Sequence, residues 1–478
     1  MKTIKAMSRL CDLILFGALA AAASAVSGQT TTLPLAWEQT KYFQYNIENV
    51  VATPSATPGT WNVKVIFSVG NPVQQSYWDI KAAEPFTKGG AVTLDIAWNP
   101  KTDFANAGSK GAALAPLVSP VLGDGAAMPV QVRNLVSTTV AGAAACTTTT
   151  ECPNVAGVGV RPLYWVARDI TPVPAAATAG RVALEGRPVC AGTQLTGCPT
   201  PSTTTTGTTT VTTYANIPVR SATADFALPT TTSLAAMLPN QRRQIVDIAK
   251  CKGCHDDRQH GDVVVPRLSL HGANRNENLD LCVTCHNPNQ TDVPYRYLST
   301  TDARIGGPET PVDFKVMVHS IHAGGFRRTP YVVIGRNSSV NDYSGVRFPA
   351  ELRKSCLKCH VTDASGRGSF ELPLKSTVLG TTIKTQSIYQ VAAGATRTID
   401  VNPANDTKIT PTAATCSACH DNSEVRSHMI RTGGASFATT QDKIGKTVNE
   451  RCASCHGPGK DKDVRKVHEL SSSSSSRD

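Results

Sequence analysis

Aromatic residues are scarce in this chain of 478 residues, at 5 % of the total, and no histidine precedes His255. The shortage matters most in the second half, where sustained hydrophobic periodicity is also lacking. A segment of that kind cannot bury a conventional apolar core with its own side chains. Long apolar runs are missing as well. The stretch Leu13–Ala23 falls short of the roughly 20 residues that cross a bilayer, so it is not read as a membrane span. The charge balance is basic, at +11, yet no nucleic-acid-binding module accompanies it.

Cysteine is what the chain has in quantity. Ten of its 15 cysteines fall in five copies of Cys-x-x-Cys-His: Cys251-Lys-Gly-Cys254-His255, Cys282-Val-Thr-Cys285-His286, Cys356-Leu-Lys-Cys359-His360, Cys416-Ser-Ala-Cys419-His420 and Cys452-Ala-Ser-Cys455-His456. This is the attachment signature of a c-type haem. Two thiols add across the two vinyl groups of one porphyrin, and the histidine after the second thiol becomes the proximal iron ligand. One match could be half of a zinc site or a disulfide pair. Five, each completed by histidine, predict five covalently bound haem c groups. No Cys-x-x-Cys-Lys variant occurs.

The N-terminus predicts export. Lys2, Lys5 and Arg9 precede the apolar stretch, and Ala23-Ser24-Ala25 or Ala25-Val26-Ser27 offers a cleavage site, so residues 1–27 read as a signal peptide. Cys11 lies before the apolar stretch and follows Ser8-Arg9-Leu10, which does not suit a lipid attachment site. Four cysteines remain: Cys146, Cys152, Cys190 and Cys198. An even number in an exported chain suggests two disulfides. Three pairings are possible, and the short spacings favour Cys146–Cys152 and Cys190–Cys198. Haem propionates would offset much of the basic charge, so Lys and Arg read as their partners.

Residues 28–235 read as an all-β domain, a sandwich or barrel. Trp61–Phe67 and Ala91–Trp98 alternate or run apolar with β-branched residues and end at Asn-Pro turns, as strands do. Leu163–Ala167, Arg181–Leu184 and Val211–Tyr214 continue the series. Enrichment in Ala, Thr and Gly predicts loops over 136–158 and 172–180. The run Thr203–Thr213 fits a linker, a glycosylated stretch or an edge hairpin. Residues 236–470 read as a mostly α or irregular pentahaem cytochrome c domain. Leu234–Leu238 and Arg242–Lys250 have helical spacing and lead into the first motif. Between the third and fourth motifs, 375–410 lacks His and Cys, and Thr381–Thr385 suggests a β insertion. The tail 471–478 is expected to be disordered.

Each motif fills one axial position of an iron and leaves the other open. Six histidines remain for five positions: His260, His271, His319, His322, His428 and His468. All six lie in the second half, a partition that scattered surface histidines would not show. Complete bis-histidine ligation is therefore available, which keeps iron six-coordinate and low in potential. Met317 and Met429 are the alternative ligands. His319 and His322 are three residues apart, which on a helix places both rings on one face, one turn apart. They could serve two different haems. His260, five residues after His255, is read as the spare, on a loop.

The residues around the motifs resemble the OmcA/MtrC family of extracellular multihaem cytochromes. His271-Gly-Ala-Asn-Arg275 followed by Cys282-Val-Thr-Cys-His-Asn-Pro288 is similar to a paired signature of that family. So are Asp313–Gly324, with its two histidines, Cys416–Asp421, and Cys452–Lys460 with Val467-His468. The likeness covers about residues 245–470. It implies a pentahaem domain with staggered haems beside a β domain, and His271, His319, His322, His428 and His468 as the distal ligands. Family members typically hold two such units and ten haems, and are commonly lipoproteins. This sequence shows one unit and no lipid site.

The function expected is electron transfer through closely packed bis-His haems, with other multihaem cytochromes or an outer-membrane electron conduit as partners. Acceptors would be metal oxides, flavins or further cytochromes, at the cell surface, outside the cell or in the periplasm. No catalytic residue is assigned, and outer-sphere reduction of metal ions is compatible with this reading. Two other readings differ in kind. A substrate-binding multihaem reductase needs an iron with an open position, which the histidine count opposes. A haem filament needs subunits joined end to end, for which an exposed strand edge could serve.

Overall fold

A computed structural model describes residues 35–99, 129–138, 142–171, 173–229, 237–255, 258–260, 263–266, 268–296, 302–387, 400 and 402–470. The expected signal segment and the serine-rich tail lie outside these residues. The N-terminal half holds the strands β1 Gln44–Pro54, β2 Trp61–Asn71, β3 Ser76–Tyr77, β4 Ala91–Trp98, β5 Val130–Val132 and β6 Ala144–Ala145. They continue with β7 Tyr164–Ile170, β8 Ala179–Arg187, β9 Ser202–Thr206, β10 Thr209–Thr213, β11 Ala222–Ala227 and β12 Met237–Leu238.

Two antiparallel five-stranded sheets form. One has the order β1-β2-β7-β6 with β3 on β2; the other runs β12-β11-β8-β4-β5. Neither closes on itself among the described residues, so the barrel alternative does not hold. Period-two alternation explains how the sheets meet. In β2, Val63, Val65, Phe67 and Val69 enter one large apolar cluster, and in β4 so do Val92, Leu94, Ile96 and Trp98. The intervening residues face outward and are covered too. Ile66 packs with Cys146, Cys152 and Leu163, beneath the Cys146–Cys152 disulfide. Cys190 and Cys198 form the second bridge. The threonine-rich run is an antiparallel hairpin, β9 on β10, exposed along both strands.

The outward face of the second sheet carries charge rather than apolar groups. Asp95, Arg181, Glu185 and Asp225 are all buried there. Arg181 forks onto Asp225, its cross-strand neighbour, and also pairs with Asp280 at 2.8 Å. Buried charges persist only when paired, and Asp280 belongs to the second half of the chain. Ala97 of β4 likewise packs with Val283 and Phe314. This face is where the two halves meet.

The second half is built from two-stranded hairpins and short helices. The hairpins are β13 Arg258–His260 with β14 Val263–Val265, β15 Ser269–Leu270 with β16 Arg275–Asn276, β17 Val332–Ile334 with β18 Val340–Asp342, and β19 Thr381–Lys384 with β20 Thr407–Ile409. The last is the expected β insertion. The longer helices are α1 Leu279–Cys285, α2 Phe314–His322, α3 Pro411–Ser417 and α4 Ser423–Arg431. Apolar clusters here are small, such as Val316 with Ala414 and Ala418. No helix among the described residues is long and apolar enough to cross a membrane.

Two local expectations fail. Of the helical spacing over 234–250, Met237–Leu238 is instead an edge strand paired with Asp225 and Phe226. Only Ile248–Cys251 is helical. Residues 233–236 lie outside the described set. The segment before the first motif is held extended by the third: Val361 N–H donates to the Ile245 carbonyl and Asp247 N–H to the Cys359 carbonyl. Tertiary hydrogen bonds outweigh the fractions of a kcal/mol per residue that helix propensity offers. His260, expected on a loop, is in the hairpin strand β13, opposite Val263.

Candidate functional site

Each of the five motifs folds into a single helical turn. The histidine N–H donates to the carbonyl of the first cysteine, at 2.9 Å for His255, His360, His420 and His456 and 2.8 Å for His286. Residues three apart on such a turn share a face, so both thiols of a motif point the same way. Local caps start some of these turns. Asp247 accepts from Ala249 N–H before the first motif, and Asn278 accepts from Leu281 N–H at the start of α1, which carries the second. Such caps satisfy donors that a helix start leaves unpaired.

The motif histidines each face one other histidine. His255 faces His322 with ring centres 6.1 Å apart, His286 faces His271 at 6.1 Å, and His360 faces His319 at 6.0 Å. His420 faces His468 at 6.1 Å, and His456 faces His428 at 6.2 Å. Two imidazoles bound to one metal ion through bonds of about 2 Å place their ring centres roughly 6 Å apart. Ring stacking alone spans a wider range, roughly 4.5–7 Å. The narrow spread over five pairs therefore fits a shared geometric demand. The five pairs are called sites I to V below, in the order of their motifs along the chain.

Hydrogen bonds fix which ring nitrogen is free. The Nδ1 atoms of His286, His322, His456 and His468 lie 3.0, 2.8, 2.9 and 3.0 Å from the carbonyls of Val312, Val318, Lys462 and Arg353. His360 Nδ1 lies 2.9 Å from the Ser369 hydroxyl. A carbonyl can only accept, so Nδ1 carries the proton and Nε2 keeps its lone pair for a metal. Burial acts in the same direction. It lowers the pKa of His286 and His360 to about 4 and moves that of His319 and His420 downward. Neutral imidazole is the ligating form. Met429, weighed as a ligand, sits instead in an apolar cluster with Ala413 and Ala435.

The helix α2 serves two sites, His319 at III and His322 at I, and its first residue, Phe314, donates its N–H to the carbonyl of His286 at II. Neighbouring motifs also touch. Cys251 and Cys359 are within hydrogen-bonding reach, the Cys419 thiol lies 4.0 Å from the His319 carbonyl, and Glu450, two residues before Cys452, accepts from the N–H groups of Thr412 and Ala413 at 2.8 Å on α3, which carries Cys416. The pairing of histidines across the chain was not readable from spacing. Nor were two residues beside site II. Arg275 stands in the His-Gly-Ala-Asn-Arg motif, but its partner Glu185 is one residue of a strand and carries no local signal.

Residues 243–469 match the sequence profile of the outer membrane cytochromes described as MtrC/MtrF-like, domains II/IV. Over this segment the chain is similar to the MtrC/MtrF-like cytochromes. The thiol pairs of the motifs in this segment, and the Nε2 atoms that the hydrogen bonds leave available, suit a covalently attached haem. The chain also aligns with the crystal structure of MtrC from Shewanella baltica OS185 at 16 % identity. The alignment covers 88 % of this chain and 53 % of that one, with a TM-score of 0.43. The chain thus spans about half the length of that protein. Curated protein sequences give no match.

Proposed function

We propose that this chain is an exported pentahaem c-type cytochrome that carries electrons through bis-His haems to extracellular or periplasmic acceptors. The observation that supports it best is the set of five histidine pairs with centres 6.0–6.2 Å apart, each joining one motif histidine to one of His271, His319, His322, His428 and His468. Haem supplies a reversible one-electron iron couple. The protein contributes spacing, ligand type and exclusion of water. Residues 28–235 and 236–470 are read as its β and pentahaem domains, the former a two-sheet sandwich.

Contacts between motifs order the sites. Cys251 with Cys359 joins I to III, the Cys419 thiol with the His319 carbonyl joins III to IV, and Glu450 with the start of α3 joins IV to V. Site II stands at the start of α2 and against the β half, beside this line rather than in it. A succession I–III–IV–V with II as a branch suits passage of charge between partners at different faces. Metal oxides, flavins or another cytochrome would take up the charge by outer-sphere contact, which needs no open iron position.

Low-temperature electron paramagnetic resonance and near-infrared magnetic circular dichroism on the oxidised holoprotein test this reading. Five low-spin bis-His signals are expected. A high-spin or exchangeable iron in the native protein would replace the conduit with a substrate-binding reductase.

A further inference from the structure

The hairpin that carries His271 has an unusual backbone. His271, Gly272 and Ala273 follow one another with φ of 52°, 67° and 71°, and Glu277 closes the segment at 47°. Glycine adopts the left-handed region freely, but His, Ala and Glu enter it only when their surroundings hold them there. The hairpin strands are two residues each, Ser269–Leu270 and Arg275–Asn276, too short to supply that hold alone.

The hold comes from the β half. Gly186 N–H donates to the Asn274 carbonyl at 3.0 Å, and Ser221 N–H to the Asn276 carbonyl at 3.1 Å. Asn276 Nδ2 donates to the carbonyls of Val219 at 2.8 Å and Ala273 at 2.9 Å. Asn278 Nδ2 donates to the Ser221 carbonyl at 2.9 Å. Between these, the Arg275 guanidinium forks onto the Glu185 carboxylate, with Nη2 to Oε1 at 3.0 Å and Nε to Oε2. Glu185 is buried on the outward face of the second sheet. A two-pronged, charge-assisted contact fixes orientation as well as distance. Sites I and III, by contrast, take their second histidine from within a regular helix.

We propose that Glu185, acting through Arg275, is a positioning residue for His271, so that the β half completes site II and holds its axial ligand in place. The inference rests on the reading of His271 and His286 as the axial pair of site II. Without the fork, the left-handed run relaxes toward ordinary backbone conformations and the His271 ring leaves the axial direction. Site II then becomes the one position open to a small exogenous ligand such as carbon monoxide.

The experiment compares holoprotein variants His271→Ala, Glu185→Gln and Arg275→Lys by electron paramagnetic resonance and by carbon monoxide titration of the ferrous protein. Arg275→Lys keeps a cation beside the buried carboxylate, and so the fold, while removing the planar fork. The low-spin signals of the other four sites report folding within the same sample. In both fork variants, carbon monoxide binding is expected to rise from a trace toward one site per chain, with those four signals unchanged. If His271→Ala opens a site and neither fork variant does, the positioning role is overturned while the ligand assignment stands. If His271→Ala itself opens none, the assignment of site II fails and the inference with it.

Discussion

His319 and His322 stand one turn apart on a single nine-residue helix and turn to different motifs, His319 to His360 and His322 to His255. The two motifs are more than a hundred residues apart in sequence, yet Lys250 Nζ donates to the His360 carbonyl at 2.7 Å. One rigid element therefore sets the separation of sites I and III. Motion of α2 would displace both rings together.

Replacing either histidine by methionine should raise the potential of one haem and leave the others near their original values. Axial ligation spans roughly 0.8 V among haem proteins, and a single His-to-Met change is expected to contribute on the order of 100 mV. Potentiometric titration of His319→Met and His322→Met followed by visible spectroscopy would show this. Two variants that shift the same component would contradict the division between sites.

The ring planes sort the sites into two groups. His319 with His360 and His271 with His286 are inclined by 14° and 33°, whereas the pairs at I, IV and V cross at 79°, 72° and 82°. Near-parallel imidazoles split the iron d orbitals rhombically, while crossed rings leave them nearly degenerate. Resonance spectra of the oxidised protein should hold two rhombic components and three with a single large g feature. A uniform set of five would be incompatible with these angles.

Asp95 gives a pH dependence of stability with a definite sign. Burial, reinforced by Glu185 and only partly offset by Arg275, Gln131 and Arg133, raises its pKa to about 7. An unfolded aspartate titrates near 3.9, as a rule of thumb. The folded chain thus keeps a proton that the unfolded chain releases. Its contribution is full below the unfolded value and is lost as pH rises through the folded one. Asp95→Asn should remove a pH-dependent loss of on the order of 4 kcal/mol accumulated between those values. Denaturant titrations of both proteins across that interval measure it, and parallel pH profiles would refute it.

Removing the Cys190–Cys198 bridge, which closes a separation of 8 residues, should cost about 2.5 kcal/mol by loop-closure entropy. The paired Cys190→Ser and Cys198→Ser variant should unfold in its β half at lower denaturant, while the haem absorption transition holds its place. A shift of equal size in both signals would mean that the two halves unfold as one unit.

Much of this architecture is written locally. The five motifs, the strands around Val63–Phe67 and Val92–Trp98, the α2 helix and the Thr381 hairpin all follow from short-range pattern, as do both disulfides. What was not legible is set by contacts between distant segments. His255 finds His322 only after α2 docks, and Arg242–Val246 is extended because the third motif captures its backbone. Glu185 looks like any strand residue until Arg275 arrives from the other half. The charged outward face of the second sheet was hidden for the same reason: a residue in a strand pattern says which face it is on, and not what covers that face.

The last two histidine pairs are crossed in sequence. The motif ending at His456 uses His428, which precedes it, while the motif ending at His420 uses His468, which follows both. On the proposed reading, a chain that emerges N-terminus first would complete the fifth pair before the fourth. The fourth would wait for His468, which follows all five motifs. Removal of the His468 ring would leave His420 without its partner while His428 and His456 still face each other.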